Sequence, residues 1–333
     1  MRTFRVFLLV LLACLTSLVC SACTKQPAPR LKVAVTVFPI YDLTRRIAGP
    51  DADVVLLIVP GRPEMDIVPS QKEADAVTGA MLGIRVGLGL DDWLQDVLDT
   101  VAPKARRLAV GERVPTLVFK PNPVAQALGR NGMSEVDPHL AGKPDPYVWL
   151  DPQRAELIVK AIAEEMARAD VAHAAAYRER STHLQKELEA LDHEVEARAS
   201  TWASRSFVSF RPAFGYFADR YHLDVAGTLE AYPGKVPPLR YDQDIVKLVR
   251  AKGLAGVFKE PQFAPKPAIT VSTATHLPIG VLDALGGDAP VDSYEKLIRF
   301  DTDALEQVMK APPLPPPPLS PPTAPDTDAG LPL

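Results

Sequence analysis

The sequence predicts an α/β protein of two lobes joined by one long helix. Short β-branched runs alternate with amphipathic helical stretches on both sides of the chain's middle. That alternation implies parallel strand pairing. A long helical stretch, from about Val171 to Ala203, separates the two series and places Leu184, Leu188, Leu191 and Val195 on one face. A chain of 333 residues, 47% of them hydrophobic, has the length of one or two domains and the apolar fraction of a globular protein.

The elements follow in order. Lys32–Phe38 and Asp53–Val59 read as buried strands, each closed by a proline, with a short helix Tyr41–Ala48 between them. Ser70–Thr78 reads as a helix, with Ser70 and Glu73 spaced for a capping box. Leu82–Leu88 is a third strand, followed by a helix through Trp93, Leu94 and Val97, and Arg107–Val110 is a fourth. Residues 111–146, rich in Pro and Gly, read as a long loop. Asp151 and Pro152 then cap and open a helix to about Arg168. After the long helix come strands Ser206–Phe210, Leu223–Thr228, Gly256–Lys259 and Ile279–Asp283. Helices Phe214–Tyr221, Gln243–Lys252, Lys266–Thr275 and Tyr294–Met309 are interleaved with them. The expected division is a leader (1–22), a tether (23–31), an N-terminal lobe (32–170), a connecting helix (171–203), a C-terminal lobe (204–310) and a tail (311–333). Two lobes joined this way suggest binding in a cleft.

Composition excludes several classes. A formal charge of −4 provides no basic stripe for nucleic acid. Three cysteines cannot form a disulfide framework, and all of them (Cys14, Cys20, Cys23) stand at the N-terminus. There, Arg2 and Arg5 precede the apolar run Val6–Val19, shorter than the roughly 20 residues of a membrane span. Cys20-Ser21-Ala22-Cys23 resembles a bacterial lipobox, with cleavage before Cys23 and lipid on its thiol. The expected location is therefore the cell envelope, on its extracytoplasmic or periplasmic face, anchored in the bilayer through Cys23. Thr24 in the next position, in place of Asp, would favour the outer membrane in a Gram-negative envelope. The tail from Ala311 holds ten of the 34 prolines and reads as an extended segment. No Ser/His/Asp set, phosphate loop or Cys/His cluster argues for an enzyme. The lone Gly87-x-Gly89 is better explained as a tight turn.

Several segments together resemble one family, the substrate-binding lipoproteins of bacterial zinc and manganese ABC importers. They are Thr36–Tyr41, Val59-Pro60-Gly61 with Asp66 and Pro69, Gly87–Asp91 with Trp93-Leu94, and Asp145–Pro152. Ala213–Phe217, Glu260-Pro261-Gln262-Phe263 and Leu282–Gly287 complete the series. The resemblance implies two (β/α)4-type lobes joined by a backbone helix, and a zinc or manganese ion held between them. It also implies a monomer whose partner is an ABC permease of the inner membrane.

The family's site uses three His and one carboxylate. At the matching positions this chain has Met65, Tyr147 and Arg211, and only the carboxylate, Asp283, is kept. A thioether and a phenol are poor ligands, and an arginine cannot coordinate and repels a divalent ion. Arg211 is therefore expected to take the metal's electrostatic place opposite Asp283, with Tyr147 donating to that carboxylate. Glu64 and Glu260 are further cleft candidates, and Glu260 is an alternative partner for Arg211. Of the six His, His173, His183 and His193 are too widely spaced for one metal, while His222 and His276 sit at a helix end and in a loop. His139, in an Asp-Pro-His that echoes Asp145-Pro146-Tyr147, is a candidate replacement ligand. Three roles stay open: a metal importer's binding protein with a degenerate site, a protein capturing an anionic or polar solute through Arg211, and a ligand-free accessory lipoprotein.

Overall fold

The computed structural model describes residues 30–65, 67–120, 124, 142–230 and 239–310. The leader with Cys23, Asp66, His139 with most of its loop, and the tail from Ala311 lie outside the described residues.

Strands β1 (Leu31–Val35), β2 (Ala52–Leu56), β3 (Leu82–Arg85) and β4 (Arg106–Ala109) form a parallel sheet of order β2-β1-β3-β4. Strands β5 (Ser206–Ser209), β6 (Asp224–Thr228), β7 (Val257–Lys259) and β8 (Ile279–Val281) form a second one of order β6-β5-β7-β8. The two sheets thus repeat one topology. In both, the order reverses beside the first strand, which in parallel sheets opens a crevice at the strands' carboxyl ends.

Helices α1 (Phe38–Ala48), α2 (Gln71–Val77) and α3 (Trp93–Val101) belong to the first lobe. Pro39 lies in the first turn of α1 and does not merely bound the strand, as the sequence suggested. Proline's missing N–H costs nothing there, so the helix starts three residues early. The expected capping box of α2 is present: Ser70 Oγ accepts from Lys72 N–H, and Ser70 N–H donates to Glu73. Helix α4 (Pro152–Ala169) is capped by Asp151, which accepts from the N–H of Gln153 and Arg154.

Helix α5 (Ala174–Ala199) has 26 residues and follows a 3-10 turn at Val171–His173, so it is about 39 Å long. Leu184, Leu188, Leu191 and Val195 are buried, as the periodicity predicts. Helices α6 (Gly215–Arg220), α7 (Leu239–Lys252), α8 (Lys266–Thr275) and α9 (Tyr294–Met309) follow α5. Helix α5 packs on α4, α1 and α9. Arg46 of α1 pairs with Glu187 of α5 and Glu295 of α9, so charge also ties these helices.

The largest apolar core runs through both lobes, and each lobe adds a smaller cluster, around Leu94 and Leu98 in the first and around Phe210 and Ile245 in the second. The shared core includes Val33 and Ile84 of the first sheet, Phe207 and Phe258 of the second, and the turn Tyr147–Leu150 between them. Trp149 Nε1 donates to Ala284 O at 2.8 Å, and Tyr294 Oη donates to Trp149 O at 2.7 Å. No helix among the described residues is long and apolar enough to cross a membrane.

Candidate functional site

The side chains singled out from the sequence converge where the two lobes meet. Arg211 stands two residues beyond β5, and Glu260 directly follows β7. Both therefore project from the switch point of the second sheet. Glu64 lies in the segment between β2 and α2, and Tyr147 immediately precedes the 3-10 turn Val148–Leu150. The guanidinium of Arg211 is fully buried. Its Nε donates to Glu260 Oε2 at 2.9 Å, and its Nη1 donates to Tyr147 Oη at 2.6 Å and to Glu64 Oε1. Tyr147 Oη in turn donates to Glu64 Oε1 at 2.7 Å and lies 3.4 Å from Met65 Sδ. The ring centroids of Tyr147 and Phe263 lie 5.1 and 5.2 Å from the guanidinium carbon. Phe263 is itself stacked on Phe210.

Asp283 is close to this cluster but is not the partner of Arg211. Its Oδ1 accepts from Gln262 Nε2 at 2.8 Å and from the N–H of Leu285 and Gly286 at 2.9 and 3.0 Å. The turn after β8 brings its own amides to the shorter aspartate, while the longer glutamates reach the guanidinium. Arg211 therefore pairs with Glu64 and Glu260, and the expected pairing with Asp283 is corrected. Arg211 is nonetheless a fully buried cation between two carboxyl groups. The roles of Gln262 and Phe263 were missed, although their Glu-Pro-Gln-Phe run was noticed. An aromatic in a loop carries no signal that a cation lies over its face.

The electrostatics follow from burial. Burial opposes the charge on Arg211, but the pull of Glu260 and Glu64 outweighs it and holds its pKa well above the usual arginine value. Burial pushes Glu260 up to about 7; Arg211 opposes the rise, and Glu64 and Asp283 add to it. Burial also raises Tyr147 well above a free phenol, so it stays a neutral hydroxyl. Arg211 Nη2, Glu64 Oε2, Glu260 Oε1 and Gln262 Oε1 are buried without a hydrogen-bond partner.

The crevice of the first sheet is sealed differently. Asp91 is buried, and its carboxylate accepts from Thr36 Oγ1 and from the N–H of Val86 and Gly87 at 2.5, 2.7 and 2.8 Å. Gly87, Leu88 and Gly89 all have positive φ, which makes the expected tight turn. Asp91 takes the amides of Val86 and Gly87, so they are not offered to a phosphate. A recess lined by Val37, Phe38, Pro60, Arg62, Leu285 and Gly286 also lies between the lobes, and no member of the cluster lines it.

The donor set does not suit a zinc or manganese ion. It has no imidazole or thiolate, and a buried cation sits in its middle. At about 4 Å and an effective dielectric of 20, a guanidinium repels a divalent ion by about 8 kcal/mol. Among the described residues no group of three His, Cys, Asp or Glu is arranged to hold a metal. The described histidines lie elsewhere. His173 contacts Asp170, His183 contacts Glu187, and His193, His222 and His276 are exposed.

Two parallel sheets of one topology, with charged side chains gathered at their facing carboxyl ends, define a two-lobed α/β binding protein. More specifically, the chain belongs to the ZnuA family, zinc-uptake complex component A, periplasmic, whose sequence model matches residues 33–308. That is a family of transport components and not of enzymes. Among similar proteins is the high-affinity zinc uptake system protein ZnuA of Brucella abortus (strain 2308). It is 34% identical over 171 residues, 50% of this chain and 51% of that protein. The zinc-binding protein AdcA of Streptococcus pyogenes serotype M3 is 26% identical over 264 residues, 78% of this chain and 51% of that protein. The chain thus spans about half the length of the curated relatives it matches. The fold is similar to that of the periplasmic zinc binding protein TroA of Treponema pallidum, with a TM-score of 0.72 and 22% identity, over 85% of this chain and 100% of that one. It is also similar to the laminin-binding protein Lmb of Streptococcus agalactiae, with a TM-score of 0.71 and 23% identity, over 84% of this chain and 100% of that one.

Proposed function

We propose that this chain is the extracytoplasmic binding-protein component of a zinc- or manganese-type ABC importer, and that its lobes are joined by Arg211 and not by a metal ion. The family description and the zinc-uptake and zinc-binding names of its relatives support the first half. One observation carries the second. A fully buried guanidinium bonds Glu64 and Tyr147 on one side and Glu260 on the other, and Arg211 and Tyr147 are residues that the resemblance matches to the family's metal ligands. The partner is then an inner-membrane permease, and Cys23 supplies a lipid anchor. Capture of an anionic solute through Arg211 is disfavoured, because the guanidinium is buried and already faces two carboxyl groups. Asp283, the retained carboxylate, serves the turn after β8 in this reading.

Calorimetric titration of zinc and of manganese into the purified, chelator-treated chain tests the proposal. Neither ion is expected to bind stoichiometrically below micromolar concentration. Submicromolar binding at one ion per chain, lost on Asp283→Ala, would overturn it.

A further inference from the structure

We infer that the seam between the lobes is a receptor for a planar organic cation, a guanidinium, and that Arg211 fills it from within the same chain. The inference rests on the reading that no metal joins the lobes, and it names the ligand chemistry of that seam.

The surroundings of Arg211 match a guanidinium in three respects. Its N–H groups lie in one plane, and two of its nitrogens, Nε and Nη1, meet carboxylate oxygens from different lobes, Glu260 and Glu64. Its faces are apolar and polarisable, and two rings, Tyr147 and Phe263, lie within cation–π distance of its central carbon. Tyr147 Oη accepts from the same Nη1 and donates its own O–H to Glu64. A metal site needs lone pairs converging on a point at about 2 Å. This seam offers acceptors spread around a plane and rings beside it, an arrangement a point charge cannot use fully. The unpartnered Nη2, Glu64 Oε2 and Glu260 Oε1 are further polar atoms of the same seam.

Truncation of Arg211 should therefore leave a site for a small guanidinium compound. The experiment is thermal unfolding of the full chain and of Arg211→Ala, each with n-propylguanidinium, n-propylammonium or zinc. The variant is expected to melt lower and to regain about 3 °C in n-propylguanidinium at ten times its dissociation constant. Propylammonium should give less, zinc should give nothing, and the wild-type chain should not respond at the same concentrations. If Arg211→Ala does not fold alone, its refolding yield with and without n-propylguanidinium gives the same readout. Equal rescue by both organic cations, or none by either, would overturn the inference while leaving the metal-free reading intact. Stabilisation of the variant by zinc above that by the guanidinium would overturn the inference too, by revealing a metal site masked by Arg211. Submicromolar zinc binding by the wild-type chain would instead defeat the metal-free reading itself.

Discussion

Replacing Arg211 by methionine removes the seam's cation while keeping most of its volume. Glu64 Oε1 and Glu260 Oε2 then lose their charged donor, and only Tyr147 Oη still donates to Glu64. Breaking a buried ion pair by deleting one partner costs about 3–5 kcal/mol, because the other charge stays buried. At about 2–4 °C per kcal/mol, the melting temperature should fall by about 10 °C. The loss should be larger at pH 8 than at pH 5.5. Glu260, held up to about 7 by burial, still carries its proton at the lower pH and then needs no counter-charge. Circular-dichroism melts at both pH values, run on Arg211→Met, Glu64→Gln and the double variant, provide the test. The double-mutant cycle should give a coupling of about 2 kcal/mol between the two side chains. A fall below 2 °C at pH 8 with no coupling would refute the reasoning that this pair holds the lobes together.

Three other perturbations read different parts of the molecule. The pKa of Glu260 is higher in the folded chain than its usual value, so the native state keeps the proton longer than the unfolded one. The stability it contributes is present below about pH 4.5 and is lost as pH rises through about 7; urea unfolding should show this fall, and Glu260→Gln should flatten it. Asp91→Ala strands Thr36 Oγ1 and the amides of Val86 and Gly87, and should cost about 3 kcal/mol in the same urea assay. Cys23→Ser should move the expressed protein from the detergent phase to the aqueous phase in a Triton X-114 partition, if Cys23 carries the anchor.

Most of the fold is legible because apolar β-branched runs and capped amphipathic helices are local signals. All eight expected strands appear in place. Several end earlier than their apolar runs, however. Thr36–Phe38, Leu57–Val59 and Val86–Leu88 are apolar because they line the seam or open the next element, and hydrophobicity alone does not separate that from strand. The site is legible at the level of residue type. Met65, Tyr147 and Arg211, singled out from the sequence by their match to the family's ligand positions, do stand together with Glu64 and Glu260. Which carboxylate Arg211 meets is not legible. That depends on one methylene of reach and on the amides of Leu285 and Gly286, which claim Asp283 first.

The two sheets share one strand order, so each has a crevice at its switch point, and the chain fills both with its own charges. Asp91 neutralises the amides after β3, and Arg211 bridges the ends of β5 and β7 to Glu64. A free ion joins two lobes only while its concentration exceeds its dissociation constant. A tethered guanidinium has no such dependence, and its translational freedom was already lost when the chain folded. The lobe spacing should therefore be indifferent to metal. Hydrogen exchange tests this directly, because amides beside the seam exchange only when it opens. Segments 206–212 and 257–263 should show the same protection in chelator as in excess zinc. They should lose protection in Arg211→Met, whose seam has no cation of its own. Protection that rises with zinc in the wild-type chain would mean that an ion, and not Arg211, closes the lobes.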